Sequence, residues 1–361
     1  MHILIGYGDA PGTTGQYYEE ALAQQHQVTF VGRSSPARAG YAPDLDLAAF
    51  AAASDPPPEL FLYIDSGYNA YAPTGLDRLP LPTVAYFMDA YPPGIAQRTP
   101  YLSTLAPLFD YVFAAHRGAL PLLQQQRPGA PVDWLPPCCD PAVHGDQGLE
   151  RIYDVGFVGQ VGSSYPERVR LLEALEQKYR LNDFRRQYYR TDMARIYSQS
   201  KIVINISHSS AIIPMRFFEA PAAGAMLLTE ASATNGQSEL LAEGSEYVSF
   251  TGIEDALDKV AYYLAHPQER EQIARAGQRA VLARHTYAQR AAQLLQTVQA
   301  DGMRRHAPAR RWPPHQVHRT YLRAHSQLQL VDCVLNQRQV SLGTRLAYAL
   351  PAILRRIKHG G

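Results

Sequence analysis

The chain is poor in cysteine, with three in 361 residues. Cys138 and Cys139 are adjacent and Cys333 is remote, which excludes a disulfide framework and the ligand spacing of a zinc site. No run approaches the roughly 18 apolar residues of a membrane helix. The opening Met1-His2-Ile3-Leu4-Ile5-Gly6 enters an apolar stretch without the basic region of a secretory signal. A soluble, cytoplasmic protein is expected. No Gly-x-Gly-x-x-Gly spacing is present, which speaks against a dinucleotide fingerprint, and there is no long low-complexity tract. Charge of one sign is also lacking: 34 basic against 33 acidic residues give a net +1. That balance conceals a split. Residues 301–361 hold ten Arg and one Lys against two Asp, a net +9, so residues 1–300 carry −8. An acidic body argues against nucleic acid as a partner.

What the chain does have is length and pattern. At 361 residues it exceeds what one core usually fills. Short apolar runs alternate with helical stretches, as expected of parallel strands joined by crossover helices. Strands are predicted at 2–6, 28–32, 60–64, 83–88 and 111–115, and again at 155–159, 202–206, 225–229 and 247–250. Each run is rich in Val, Ile, Leu, Phe and Tyr, as strands covered on both faces should be. Between the two sets the Pro-rich segment 133–141 reads as extended chain, with a hinge at about 136–152. From 253 to 300 the period turns helical. The reading is therefore α/β, with two Rossmann-like domains at 1–145 and 146–300 and a basic helical tail at 301–361.

Two segments of the second half suit an anionic ligand. Val155 to Arg168 reads as strand, Gly/Ser loop and helix opened by Pro166. Backbone amides of Gly162, Ser163 and Ser164 can face an anion there, Gly159 before them is a further donor-side candidate, and Arg168 lies one turn into the helix. Asn205 and His208 end the strand at 202–206. Arg216 and Glu219 follow three apart on a helix, which puts a cation and a carboxylate on one face. Alone, such a pair is more often a surface ion pair.

Asn205, then Arg216-Phe217-Phe218-Glu219-Ala220-x-Ala222-x-Gly224-Ala225-x-Leu227-Leu228-Thr229, then Glu239-Leu240-Leu241 and His285-Thr286-Tyr287-x-x-Arg290, resemble the spore-protein CgeB-like (YkvP-type) branch of the group 1 retaining glycosyltransferases. The resemblance runs from about Val155 to Leu295. It implies the GT-B fold, two Rossmann-like domains facing a central cleft, and a nucleotide diphosphate sugar as donor substrate, with no cofactor and no metal. By that resemblance Glu219 meets the ribose, Arg168 and Arg216 the diphosphate, and Gly236, Gln237 and Ser238 the phosphate or sugar. Two positions depart from the group pattern: Ala211 stands where a Glu is common, and Gln160 where an Arg is.

In the first half Gly12, Thr13, Thr14 and Gly15 join the first strand to a helix, where a cleft loop for acceptor or leaving phosphate is expected. Asp89 and His116 each sit just past a predicted strand; they are the candidate catalytic groups with Arg216, either as sugar contacts or as the base of an inverting reaction. Asp44-Leu45-Asp46 has the pattern of metal-dependent enzymes of another fold and is read as a helix cap. The acceptor is a saccharide, a lipid-linked species or a small molecule. Rival readings are a non-catalytic sugar-binding protein of an envelope or spore coat, and a nucleotide-sugar epimerase. In the tail, Leu346, Leu350, Ile353, Leu354 and Ile357 fall on one helical face near Arg345, Arg355, Arg356 and Lys358, with a kink expected at Pro351. That helix suits either an anionic membrane surface at the inner face or packing on the first domain.

Overall fold

The computed structural model describes residues 1–10, 12–32, 45–65, 72–90, 99–207, 209–328, 330, 334–335 and 341–358. It divides into two compact units, Met1–Leu135 with Ala291–Gly361, and Pro136–Arg290.

In the first unit six strands form one parallel sheet: β1 (His2–Tyr7), β2 (Gln27–Phe30), β3 (Leu60–Asp65), β4 (Thr83–Phe87), β5 (Tyr111–Ala114) and β6 (Val132–Trp134). Every residue of β1, β3, β4 and β5 is buried, which is why they read as unbroken apolar runs rather than alternating ones. The order is β2-β1-β3-β4-β5-β6. It reverses direction beside β1, and such a switch opens a crevice at the carboxyl ends of the neighbouring strands. Four helices cross over, α1 (Thr14–Ala23), α2 (Leu47–Ala53), α3 (Thr99–Leu105) and α4 (Leu120–Gln126). Asp46 caps α2, accepting from the Ala48 amide at 3.1 Å; Asp44 lies outside the described residues. The short β6 overlaps the start of what the sequence marks as extended linker.

The second unit opens with α5 (Pro141–His144), followed by β7 (Tyr153–Gly156), α6 (Pro166–Glu176), α7 (Thr191–Ser198), β8 (Ser200–Asn205), α8 (Arg216–Ala222), β9 (Met226–Glu230), α9 (Gln237–Leu240) and β10 (Val248–Phe250). These strands are parallel in the order β10-β9-β8-β7. Ile202, Ile204, Met226 and Leu228 pack against Leu171, Leu172 and Leu175 of α6 on one face. The helical stretch after 253 resolves into α10 (Gly252–Ala265), α11 (Pro267–Arg284) and α12 (Tyr287–Ala300). Gly277 lies within α11 without ending it.

The first division between units falls after Leu135, ahead of the expected 145, and backbone bonding supplies the reason. The Cys139 amide donates to the His285 carbonyl and the Tyr287 amide to the Cys139 carbonyl, both at 3.1 Å, so residues 136–145 are tied to the α11–α12 turn. The chain returns to the first unit at Ala291. Part of the tail is built into that unit. Helix α13 (Pro314–Gln327) contributes Val317, Tyr321 and Ala324 to the same core as Leu4, Phe61 and Phe87. Tyr321 accepts from the Leu76 amide and donates to Asp77, each at 3.0 Å. Arg310 places Nε 2.9 Å and Nη2 2.8 Å from the two oxygens of Asp110, whose side chain is fully buried. Packing therefore accounts for 307–327. The Leu342–Lys358 helix turns Ala349 toward Leu322 and Val334, and continues through Pro351.

Candidate functional site

At the carboxyl ends of β7, β8 and β9 the second unit gathers two buried guanidinium groups. Arg216, the first residue of α8, donates from Nε to the Val158 carbonyl at 2.9 Å and from Nη1 to Asn205 Oδ1 at 2.9 Å, with Nη2 also on Val158. Asn205 passes the chain on, its Nδ2 reaching Thr229 Oγ1 at 2.8 Å. One hydrogen-bonded line thus joins three strand ends. The guanidinium lies over the Phe157 ring, 4.2 Å from its centre. Gly159 makes this approach possible, because a Cβ there would stand 2.4 Å from Arg216 Nη2. Its role, three residues past β7, is to leave room for the cation.

Arg168 sits in the first turn of α6 and donates from Nε to the Ile206 carbonyl at 3.1 Å and from Nη1 to the Gln160 carbonyl at 2.6 Å. Its guanidinium covers Tyr165 at 4.3 Å. Burial, then the neighbouring Arg216 charge, pulls its pKa down to about 10, which still leaves it charged at neutral pH. Both arginines are 7% exposed, and among the described residues neither forms an ion pair with a carboxylate. Half-buried Glu230 acts on Arg168 only through the field, and its own pKa is raised by burial. Two desolvated cations so placed are costly to hold unless an anion completes them.

The other donor-side candidates surround this pair. Ser163 is exposed in the loop between β7 and α6. Gly236 takes a left-handed φ of 85° just before α9, and Asn205, Thr229, Glu230, Asn235 and Gln237 line a hollow of about 10 Å³ with room for one water at most. Asn235 bonds within its turn, accepting from the Gln237 amide at 2.9 Å, and donates to the Ser210 carbonyl at 3.0 Å. Ser238 is exposed beside it. His208 lies outside the described residues.

Glu219 and Arg216 share a helix but go separate ways. Glu219 is 6% exposed, and its Oε1 lies 3.5 Å from Nε2 of His144 on α5. Burial pushes the carboxyl up to about 7, with Arg216 opposing, and burial pulls His144 down to about 4. At neutral pH His144 is uncharged and Glu219 is near its midpoint, so the contact is not a standing ion pair, its separation notwithstanding. No spacing rule announces His144, which is 75 positions away along the chain. The His285 to Arg290 motif is likewise a tie. Arg290 reaches the Pro136 carbonyl at 3.0 Å and His285 Nδ1 at 2.7 Å, while His285 Nε2 lies 2.9 Å from the Leu240 carbonyl.

In the first unit Asp89 follows β4 and buried His116 follows β5. Gly12 donates to Gln16 Oε1 at 2.8 Å, Thr13 precedes α1 with its hydroxyl buried, and Thr14 and Gly15 begin the helix. The structure adds Asp65, which sequence reasoning missed. It is the last residue of β3, 1% exposed, and accepts a hydrogen bond from the Tyr101 hydroxyl. Its position at a strand end is the signal that singled out Asp89.

Residues 148–296 match the family model described as glycosyl transferase-like, a span covering most of the second unit. No curated protein matches the chain. Among solved structures, a sucrose-phosphate synthase from Thermosynechococcus elongatus aligns with 84% of this chain and 99% of its own, at 12% identity and a TM-score of 0.61. HepE from Anabaena, in complex with UDP, aligns with 83% of this chain and 100% of its own, at 15% identity and a TM-score of 0.57. The fold is GT-B. A DNA-modifying β-glucosyltransferase, studied with and without uridine diphosphoglucose, shares the GT-B likeness over 83% of this chain and 99% of its own, at 13% identity and a TM-score of 0.53. Within that GT-B frame, the arginine pair lies in the unit that carries the family match.

Proposed function

We propose that the chain is a glycosyltransferase that moves a sugar from a nucleotide diphosphate sugar, UDP-linked in the first instance, to a hydroxyl-bearing acceptor. The carrying observation is the pair of buried cations Arg168 and Arg216, which form no ion pair with a carboxylate among the described residues, at the carboxyl ends of a parallel sheet. A diphosphate leaving group develops negative charge as the glycosidic bond breaks, and preorganised cations stabilise that charge without reorganising at the moment of reaction. They supply in fixed form what a divalent cation supplies elsewhere, so the reaction is read as metal-independent. The UDP and UDP-glucose complexes of HepE support the choice of nucleotide.

Retention of anomeric configuration and membership of the CgeB-like branch follow the motif from Asn205 to Arg290. Donor contacts are assigned to Arg168, Arg216 and Glu219 with the Gly159–Ser163 and Gly236–Ser238 turns. Acceptor contacts are assigned to the Gly12–Gly15 loop, Asp89 and His116, with Asp65 beside them at the end of β3. Nucleotide sugars are made in the cytoplasm, and the reaction is placed there. The acceptor is a saccharide, a lipid-linked glycan or a small molecule.

The test is nucleoside diphosphate release from a panel of UDP-, GDP- and ADP-sugars, with and without chelator. Release that survives chelation and disappears in Arg216→Ala supports the reading. No release from any donor, with no nucleotide bound, refutes it. Conversion of the donor sugar without release or acceptor would mark an epimerase.

A further inference from the structure

We infer that the Leu342–Lys358 helix is a docking surface for an anionic lipid bilayer. Its outward face carries Leu342, Leu346, Leu350, Ile353 and Leu354, each between 38% and 61% exposed. At 100° per residue these five fall within an arc of about 120°. Ala349 and Ala352 are buried, and Ala349 packs with Leu322 and Val334 beside partly buried Tyr348. The helix is thus anchored to its own unit by small residues and presents its large apolar ones outward. A monomer rarely leaves a row of leucines in water without a use for it.

The surroundings identify the occupant. Residues 301–361 carry eleven basic groups against two acidic ones, on a chain whose other 300 residues are net acidic. Arg319 and Arg323 are exposed on α13, the helix whose Leu322 packs against Ala349, and add to that basic field. Apolar side chains of an interfacial helix enter the acyl boundary, while the basic field of the segment that carries it draws it to lipid phosphates. No described helix is long and apolar enough to cross a membrane, and Pro351 sits inside this one. The helix lies in the interface rather than through it. None of this depends on the glycosyltransferase reading, since no donor-site residue takes part.

The experiment is flotation of the full chain with vesicles of phosphatidylcholine alone and of phosphatidylcholine with phosphatidylglycerol. Binding is expected on the anionic vesicles, falling at least about tenfold without phosphatidylglycerol and weakening with added salt. Leu346→Ser with Leu350→Ser is expected to lower partitioning about a hundredfold, roughly tenfold per leucine. Both positions face solvent, so circular dichroism and UDP binding of the double variant should match the parent. The inference is overturned if the parent ignores anionic vesicles, if both lipid compositions bind it equally, or if the double variant floats like the parent. It is equally overturned if the vesicle-free chain is a dimer that the double variant converts to monomer, because the face then belongs to a second copy.

Discussion

Replacing Arg216 by Ala separates a ligand-binding role from a structural one. In the folded chain Arg216 donates to the Val158 carbonyl and to Asn205 Oδ1 and covers Phe157. Removing it leaves two buried acceptors without that donor, at about 1–3 kcal/mol each, and forfeits about 1–2 kcal/mol of cation–π contact. Against this stands relief from holding a cation out of water with only the field of Glu219 to offset it, which is worth several kcal/mol. The opposing terms nearly cancel, so the urea midpoint should move by no more than about 2 kcal/mol of stability. Donor binding has no such compensation. At an effective dielectric near 20, a guanidinium roughly 6 Å from a phosphate contributes about 3 kcal/mol. The UDP dissociation constant should therefore rise about a hundredfold. Arg216→Lys should recover part of that loss, keeping the charge but not the fork that grips Val158 and Asn205 together. Titration calorimetry with UDP, paired with urea unfolding of the same preparations, reads both quantities. A variant that binds UDP within threefold of the parent but unfolds several kcal/mol earlier would refute the argument, because Arg216 would then be a strut between strand ends (threefold being about 0.65 kcal/mol).

Three further outcomes follow from other contacts. Gly159→Ala puts a Cβ 2.4 Å from Arg216 Nη2 and should weaken UDP binding by about tenfold or more, the worth of one hydrogen bond to a charged group; titration calorimetry checks it. Glu219 is raised to about 7, so its stability contribution is full below its unfolded value of 4.5 and is lost as pH climbs toward 7. His144 is lowered to about 4, so its contribution is full above 6.5 and is lost as pH falls toward 4. These windows overlap and oppose, and the pair should leave stability nearly flat from about pH 4.5 to 6.5. Glu219→Gln should unmask the histidine, giving stability that rises by about 3 kcal/mol from pH 4 to 6.5 in urea titrations, whereas His144→Gln should give a fall toward pH 7. Arg310→Ala strands the buried Asp110 carboxylate and should cost about 3–5 kcal/mol in unfolding experiments.

Much of the sheet architecture was legible because burial on both faces writes itself as an apolar run. Residues 60–64 were expected as a strand and Leu60–Asp65 is one; residues 83–88 and Thr83–Phe87 agree as closely. Strand β6 was not legible, because Val132–Trp134 is three residues long between Pro131 and Pro136 and proline on both sides reads as linker. The tail divided along the same line. Its α13 positions Val317, Tyr321 and Ala324 fill a core whose other buried members, Ala309 apart, lie between Leu4 and Val132, which no local period reports. The exposed leucines of the last helix were visible as a face, since a helical face is a local pattern.

The same distinction governs the site. Arg216 and Glu219 were expected to point to one place because they are three apart on a helix. Spacing fixes the face, but what each side chain binds is decided by distant partners: Val158 and Asn205 for the arginine, His144 for the glutamate. The sequence does hold a trace of the first arrangement. Gly159 follows β7 by three residues and Arg216 begins α8, and neither looks unusual alone. They become informative as a pair, because a position past a strand end that excludes a Cβ and a helix-start cation with no ion-paired carboxylate among the described residues are two halves of one requirement, room for a guanidinium and an anion for it to meet.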